Sequence, residues 1–362
     1  MERLSWTMAD MGVQLVSLQR GAAKYNGPMM TKFRVLSDLH IDYNESRGDK
    51  FEMPKDDIFT VLCGDTSGDP AVTISWVKEN IKSGLLIAGN HLPYNNQNKT
   101  MQELRQQLAD AFPEKSDVTY LDVETGVFSK EIDGILFVGT TFYTNFRISH
   151  EWWNSNGDKE FNMRCSHGRM NDYIYGFSKR EFPLGADNEP KMVRVTPQDY
   201  YEWFINAFKK IDELLAENEK AAEPKPVVLI SHHALVKDTI EKNGYVEQHF
   251  DSPRHFNYSS YASDCGFWLK SHPSIKCYLY GHIHDIYPEH RSFKLKREDG
   301  SQILVLNNCR GYVSKGHDLN FNPNTFVNVQ TWEVEQIPET EEQIATKKER
   351  AERRWKSLAW FM

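Results

Sequence analysis

The sequence contains few cysteines and no long apolar run. Five cysteines in 362 residues are odd in number and scattered, which indicates reduced thiols and not a disulfide framework. No stretch approaches the roughly 20 apolar residues that a membrane-spanning helix needs, so we expect no membrane partner. The cysteines are Cys63, Cys165, Cys265, Cys277 and Cys309.

Positive charge is also scarce. Lysine and arginine number 43 against 51 aspartate and glutamate residues, and the formal net charge is −8. A protein that grips long nucleic acid usually carries a basic stripe, so nucleic acid is a disfavoured partner, although it is not excluded. With 40% hydrophobic side chains, the chain is long enough to bury a core as one large domain or as one domain with a cap.

The N-terminal residues 1–28 lack the basic start and apolar core of a secretory signal. We therefore expect a cytoplasmic protein. The first strand-like run begins at Phe33, just after two methionines, so residues 1–28 are interpreted as an N-terminal extension. Two origins stay open for this extension: a misjudged start site upstream of the protein, or a peripheral helix.

Five short polar motifs occur in order along the chain, and each follows an apolar run that predicts a buried strand. Ligand sites in open α/β sheets gather outside the carboxyl ends of the strands, so these motifs are expected to meet at one point. The strand-like runs are 33–36, 58–62, 85–88, 227–230 and 275–280. The motifs are Asp38-Leu39-His40, Gly64-Asp65, Gly89-Asn90-His91, Ser231-His232-His233 and Gly281-His282-Ile283-His284.

The motif side chains are carboxylates, an amide and imidazoles, with no thiolate among them. Two divalent cations about 3.5–4 Å apart need such oxygen and nitrogen donors, including one oxygen that can bridge them. The absence of cysteine disfavours a closed structural zinc site. Taken singly, Asp65 or Asn90 is as well explained as a turn former after a strand, so the prediction depends on the whole set.

In this order, the motifs resemble the pattern of the calcineurin-like metallophosphoesterase superfamily: D-x-H, GD, GNH, a lone H and GHxH. The resemblance extends over about residues 30–335. It implies an α/β fold, a four-layer αββα sandwich, here with an inserted cap or loop region. It also implies two metal ions, one held by Asp38, His40 and His284, the other by Asn90, His232 and His282, with Asp65 bridging both.

The resemblance further implies in-line attack on phosphorus by a hydroxide that bridges the metals. His91 would then be the catalytic proton donor to the leaving group. The metals are expected to be two divalent ions, Mn²⁺ first, with Fe, Zn, Co or Ni as alternatives. The superfamily has one histidine where this chain has two, and His232 is the better match, although the choice between His232 and His233 stays open.

Two departures from the pattern restrict the subfamily. Protein Ser/Thr phosphatases continue the GD motif to Asp-Arg-Gly and follow GNH with Glu, whereas here Asp65 is followed by Thr66 and His91 by Leu92. A phosphoprotein substrate is therefore disfavoured. Asp69 is a candidate for the missing carboxylate beside His91, and a turn aspartate is the alternative.

The remaining sequence predicts α/β alternation around an insertion. Helices are predicted near 72–83, 100–112 and 197–218, further strands at 118–121 and 135–139, and closing strands at 302–308 and 325–335. Periodicity fails at about 141–196, which is typical of a lid, cap or binding loop. We therefore predict a domain over 29–336 that contains this insertion, and a C-terminal amphipathic helix over 337–362.

The insertion supplies the candidates for substrate selection, because arginine clamps phosphate and aromatic rings stack on bases. A small satellite core with solvated arginines is the alternative. The predicted substrate-binding residues in the insertion are Arg164, His167 and Arg169, together with the segment Asn171–Tyr173. His233 and Arg310, which lie outside the insertion, are predicted to bind substrate as well.

The sequence thus predicts metal-dependent hydrolysis of a phosphomonoester or phosphodiester of a small molecule, with a nucleotide as one option. Two alternatives stay open: a DNA or RNA phosphodiesterase of the Mre11-like branch, and a catalytically silent interaction module of the same fold. The sequence leaves the oligomeric state undetermined.

Overall fold

Parallel strands form the centre of two sheets in the computed structural model, which describes residues 29–96, 98–148, 157–168, 170–181, 191–241, 258–284 and 290–358. Within these residues each sheet has six strands. The first contains β1 (Lys32–Leu36), β2 (Thr60–Leu62), β3 (Gly84–Leu86), β4 (Val118–Tyr120), β13 (Thr325–Asn328) and β14 (Glu333–Gln336). The second contains β5 (Ser129–Ile132), β6 (Ile135–Gly139), β9 (Val227–Ile230), β10 (Ile275–Tyr280), β11 (Ser292–Lys296) and β12 (Gln302–Asn307).

The strand order explains how the polar motifs come to share one edge. In the first sheet the order is β14-β13-β1-β2-β3-β4, and β1 to β4 are mutually parallel. In the second it is β11-β12-β10-β9-β6-β5, and β12, β10, β9 and β6 are mutually parallel. A parallel bridge between Ser37 and Cys309 connects the ends of β1 and β12. The carboxyl ends of the central strands of both sheets therefore meet.

Alternation along each central strand buries both of its faces. Val61 belongs to an apolar cluster built from both sheets, whereas its neighbour Leu62 belongs to a second cluster with helices on the other face. In the second sheet, Val228 joins the shared cluster and Leu229 joins a third one. Strands buried on both faces explain the continuous apolar runs that the sequence shows.

Capping residues mark the starts of several helices. Asp69 accepts a hydrogen bond from the Ala71 amide at the start of α2, and Thr100 and Thr196 form capping boxes at the starts of α3 and α6. The helices are α1 (Ile41–Glu45), α2 (Pro70–Asn80), α3 (Met101–Ala111), α4 (Lys159–His167), α5 (Asp172–Tyr175), α6 (Pro197–Lys220), α7 (Asp238–Glu241), α8 (Gly266–Ser271) and α9 (Glu341–Leu358).

The mixed α/β class is confirmed, and the predicted strands and long helices are present with ends shifted by a few residues. The exception is the run 325–335, which forms two antiparallel strands, β13 and β14. The predicted insertion contains regular structure, namely α4, α5 and a separate two-stranded sheet of β7 (Phe177–Glu181) and β8 (Lys191–Arg194). The C-terminal helix α9 is observed, while the extension 1–28 lies outside the described residues. The division into domains stays a prediction.

Candidate metal centre

The loops after β1, β2, β3, β9 and β10 converge, so side chains from both sheets lie together. The first group that could hold a metal ion consists of Asp38, His40 and His284, with donor atoms within 4.8 Å of one another. His284 Nε2 lies 2.8 Å from Asp38 Oδ1 and 3.3 Å from His40 Nε2. Three donor atoms from two different sheets therefore point to one place.

A second group consists of Asp65, His232 and His282. His232 Nε2 lies 2.9 Å from Asn90 Oδ1 and 3.2 Å from Asp65 Oδ2, which brings the amide oxygen into the same cluster. Asp65 also groups with His40 and His91. Because His40 belongs to the first group as well, the two groups are adjacent and Asp65 lies between them.

Hydrogen bonds from the surrounding chain leave one oxygen of Asp38 directed at the cluster. Its Oδ2 accepts from Ser37 Oγ at 2.5 Å, from the His282 amide at 3.0 Å and from Cys309 Sγ at 2.9 Å. Its Oδ1 faces His284. Such outer contacts fix the orientation of a metal-binding carboxylate.

The second cluster is fixed in the same way. His232 Nδ1 lies 2.9 Å from the Cys63 carbonyl oxygen, which directs Nε2 toward Asn90 and Asp65. Asp65 Oδ1 accepts from the His91 amide at 3.0 Å. Each side chain is thus held on its far side by a different loop.

Electrostatics keep both carboxylates ionised although they are fully buried. Burial alone would raise the pKa of Asp38, but the imidazoles of His232, His284 and His40 outweigh it and hold the pKa well below its ordinary value. The pKa of Asp65 is likewise lowered, because His232, His91 and His40 outweigh burial. Ionised carboxylates are the form that binds a cation.

Burial lowers the pKa of His40 and His282 well below the ordinary value, with neighbouring histidines contributing. These two imidazoles are therefore neutral, as metal ligands must be. The pKa of His232 is instead raised to about 9, since Asp65 and Asp38 outweigh its burial. A proton on His232 offsets the charge of the two carboxylates in the way that a cation would.

The backbone at the cluster is held in an unusual conformation. Asp38, His40, Asp65 and His282 have φ of 52°, 43°, 49° and 65°, in the left-handed region. This conformation costs a non-glycine residue on the order of 1 kcal/mol. The neighbouring Gly89 is required for space, since a Cβ there would overlap the Asp65 carboxylate.

An unsatisfied nitrogen tests whether these residues fit a metal. His282 is a member of the second group, and its Nε2 is buried and has no hydrogen-bond partner among the described residues. A buried polar atom without a partner is costly unless something else binds it. The ring is held between His233 and Tyr261, with centroids 4.2 Å and 5.1 Å away. The donor set and this nitrogen fit a divalent cation.

His91 lies at the edge of the cluster, with its side chain 17% exposed. Its Nε2 is 3.9 Å from Asp65 Oδ2 and 3.3 Å from the hydroxyl of Tyr312. Its ring stacks on Tyr94, with centroids 3.9 Å apart and planes inclined by 24°. The imidazole is thus oriented and remains accessible to a bound molecule.

His233 is placed differently from His232. Neither ring nitrogen of His233 has a hydrogen-bond partner among the described residues, and the ring packs near Tyr143 and Tyr200. Burial lowers its pKa well below the ordinary value, so the ring is neutral. The structure therefore brings His232, and not His233, into the groups that could hold a metal.

The other predicted substrate contacts are scattered. Arg164 and His167 are exposed on α4, where His167 stacks on Tyr173, and Arg169 lies outside the described residues. Arg310 donates toward the Leu39 and Asp49 carbonyl oxygens and lies over the Phe51 ring. Among the described residues, no hydrogen bond or ring contact joins Arg164, His167 or Arg310 to the imidazoles and carboxylates of the cluster.

Arg310 instead lines a cleft of about 420 Å³ beside α9, which we call the C-terminal cleft. In it Lys347 pairs with Glu339 at 2.6 Å, and Arg350 pairs with Asp49 at 3.1 Å and Asp318 at 3.4 Å. The remaining lining residues are Gly48, Lys50, Phe51, Phe321, Pro323, Glu342, Gln343 and Thr346.

Several residues that surround the cluster were not predicted from sequence. Tyr94 and Tyr312 contact His91, and His317 Nδ1 lies 3.1 Å from His284 Nδ1. Asp172 contacts Asn90, although its segment was predicted to bind substrate. The suggestion that Asp69 orients His91 is wrong, because its carboxylate caps α2.

Among the described residues, no helix is both long enough and apolar enough to cross a membrane. No protein-family model matches the chain, and no curated protein matches it. Among solved structures, it is similar to the crystal structure of a phosphopantetheinyl hydrolase from Mycobacterium tuberculosis, with 16% identity and a TM-score of 0.48. The match covers 78% of this chain and 90% of that chain. Similarity at this level does not indicate a function for this chain.

Proposed function

We propose that this protein is a dinuclear metal-dependent phosphoesterase of the metallophosphoesterase type. The observation that carries the proposal is the pair of adjacent donor groups, built from five strand-end loops, with Asp65 between them. The two sheets and their shared apolar cluster support a four-layer αββα arrangement. Asp38, His40 and His284 would hold one ion, Asn90, His232 and His282 the other, and Asp65 both.

Two divalent cations, with Mn²⁺ the first choice, would when bound supply Lewis acidity and lower the pKa of water. The protein supplies orientation and a proton. His91 is anchored through its own amide to Asp65, and its Nε2 extends from the cluster toward Tyr312. A proton at this nitrogen would pass to the leaving-group oxygen as the ester bond to phosphorus breaks.

No covalent intermediate is needed in this scheme. The nucleophilic side chains nearest to Asp38 are Ser37 and Cys309, and both are buried and use their polar hydrogens to bond its carboxylate. A side chain used in this way is held as a support. Water is therefore the nucleophile that we propose.

The leaving group would be a small organic group that packs against aromatic rings. Tyr94 and Tyr312 contact His91, and each packs against a second tyrosine: Tyr312 against Tyr43 and Tyr94 against Tyr175, with ring centroids 4.6 Å and 4.9 Å apart. Tyr43, Tyr312 and Tyr175 are half-buried. A nucleoside is the finer proposal, because planar bases stack on such rings; mono- and diesters are both included.

The test is hydrolysis of bis-p-nitrophenyl phosphate and of a panel of nucleotides, cyclic nucleotides and sugar phosphates, each with added Mn²⁺. We expect turnover of at least one ester. In His91→Ala we expect kcat to fall by about 10²–10⁴-fold with Mn²⁺ still bound, since this change removes only the proton donor. His272→Gln is the matched control, because His272 contacts Asp212 and Glu219 outside the cluster.

Absence of turnover in the metal-loaded protein would exclude an enzyme and favour the silent interaction module. Activity confined to oligonucleotides, with binding that weakens steeply as salt rises, would favour the nuclease branch.

A further inference from the structure

A carboxylate from the inserted segment reaches the cluster from outside the five motifs. Asp172, the first residue of α5, is 1% exposed. Its Oδ1 accepts a hydrogen bond from Asn90 Nδ2 at 2.7 Å and another from the hydroxyl of Tyr94 at 2.5 Å. One oxygen atom thus contacts both a proposed metal ligand and the ring that supports His91.

The first of these bonds fixes which way the Asn90 amide faces. Because Nδ2 donates to Asp172, the carbonyl oxygen Oδ1 must face the opposite side, where it lies 2.9 Å from His232 Nε2. The reversed amide would place its carbonyl oxygen against a carboxylate, which is repulsive, and its NH₂ group toward the cluster, where it could not bind a cation. Asp172 therefore selects the orientation that a metal ligand needs.

The second bond fixes the support of His91. The Tyr94 hydroxyl is anchored on Asp172, and the same Tyr94 ring stacks on His91 at 3.9 Å. The Nε2 edge of the same His91 ring lies 3.3 Å from the Tyr312 hydroxyl, so the ring is held at two points. The position of Asp172 is thus transmitted to the proton donor through a single intervening side chain.

Burial of this carboxylate is costly, and the contacts described here do not fully compensate for it. Its second oxygen, Oδ2, is buried and has no hydrogen-bond partner among the described residues. A buried acid with an unsatisfied oxygen is unfavourable for stability alone. Its presence beside the cluster points to a role there.

We propose that Asp172 is a positioning residue that couples the orientation of Asn90 to that of His91. The inserted segment would then complete the framework of the site, in addition to any contact with substrate. This inference rests on the proposed function for its catalytic readout, whereas its metal-binding readout is independent of turnover.

The test compares Asp172→Ala, Asp172→Asn and Tyr94→Phe in the full-length protein, with Mn²⁺ affinity measured by titration calorimetry and kcat and KM measured separately. In Asp172→Ala we expect one Mn²⁺ site to weaken by about 10–100-fold, because loss of an outer hydrogen bond has effects of this size. We expect kcat to fall with it while KM changes little. Asp172→Asn keeps an accepting oxygen and should recover most of both. Tyr94→Phe should lower kcat and leave Mn²⁺ affinity unchanged.

Asp158→Ala is the matched control, since it removes an exposed carboxylate that caps α4 in the same segment and bonds only the Phe161 amide in the described contacts. We expect it to leave affinity and kcat unchanged. Equal effects of Asp158→Ala and Asp172→Ala would show general support of the segment and overturn the proposal, as would unchanged Mn²⁺ affinity in Asp172→Ala. If Asp172→Ala does not fold, loss of Mn²⁺ affinity in Tyr94→Phe or full loss of kcat in Asp172→Asn overturns it.

The two proposals fail in different ways. A native protein that binds Mn²⁺ but hydrolyses no ester refutes the proposed function, and the effect of Asp172→Ala on Mn²⁺ affinity still decides the positioning role.

Discussion

The metal-centre cluster and the C-terminal cleft both gather charged side chains at low exposure, and they differ in how those charges are compensated. In the cleft, Lys347 and Arg350 each have an acidic partner within 3.4 Å. In the cluster, imidazoles and two carboxylates from different loops point their donor atoms at one another. In the cleft the opposite charges neutralise one another, whereas convergent oxygen and nitrogen donors are the arrangement that a divalent cation binds. The difference separates a region held by ion pairs from the candidate metal centre.

The largest effect that this comparison predicts is that of Asp65→Asn. We expect kcat/KM to fall by about 1,000-fold or more, equivalent to about 4 kcal/mol, because the amide cannot replace the charge shared by both groups. Metal content by elemental analysis should fall with it. Asp110→Asn, an exposed carboxylate on α3, is the control. If Asp65→Asn keeps more than about a tenth of the activity and its full metal content, Asp65 does not contribute to both metal sites.

Metal removal should lower thermal stability. At a free Mn²⁺ concentration 100 times Kd, binding contributes about 2.7 kcal/mol. For a protein of this size we expect EDTA to lower Tm by roughly 4 °C, and Mn²⁺ to restore it. Differential scanning calorimetry measures the change, with Asp65→Asn as a variant that should show little difference. Identical Tm values with and without Mn²⁺ in the native protein would contradict the comparison.

The ion pair between Arg34 and Asp56, which lies outside both regions, should make stability depend on pH. The buried Arg34 donates to Asp56 at 2.9 and 2.6 Å, and this bond lowers the pKa of Asp56 below its ordinary value. The pair therefore contributes stability at neutral pH that is lost as pH falls through the folded-state pKa. We expect Asp56→Asn to lower the free energy of unfolding by about 2 kcal/mol at pH 7, discounted for the exposure of Asp56, with the difference shrinking below about pH 4. Urea titrations at several pH values measure it, and a pH-independent difference would contradict it.

The smallest predicted effect is in the C-terminal cleft. Arg350→Ala should lower the free energy of unfolding by about 0.5–1 kcal/mol, less in high salt, because its two ion pairs are partly exposed. Activity and Mn²⁺ affinity should not change. A marked loss of activity in urea-free buffer would mean that the cleft contributes to function. That result would contradict the distinction between the cleft and the metal-centre cluster.

Sequence alone predicts the parts of this molecule whose signals are local. The run 227–230 and the histidines that follow it are adjacent in the chain, so the sequence predicts both the strand and the position of His232 at the edge of the sheet. The sequence does not decide between His232 and His233, because that choice depends on the hydrogen bond between the His232 ring and the Cys63 carbonyl oxygen.

The supporting contacts could not be predicted for a related reason. Asn90 and Asp172 are 82 residues apart, and no periodicity or spacing links them. Arg310 illustrates the converse: the sequence predicts that it binds substrate, but its side chain lies over Phe51 in the C-terminal cleft. A backbone position can be inferred from a pattern, whereas the direction of a long side chain depends on tertiary packing.

The ligands of each proposed ion come from both sheets, since Asp38 and His40 follow β1 while His284 follows β10. Bound ions would therefore link the two sheets, and the ligands of one sheet alone would bind them weakly. We then expect an ion to dissociate slowly, at a rate limited by separation of the two sheets. As the urea concentration is raised and the unfolding rate increases, the residence time of a labelled Mn²⁺ should decrease in proportion. The rate of metal exchange would then measure the rate at which the two sheets separate.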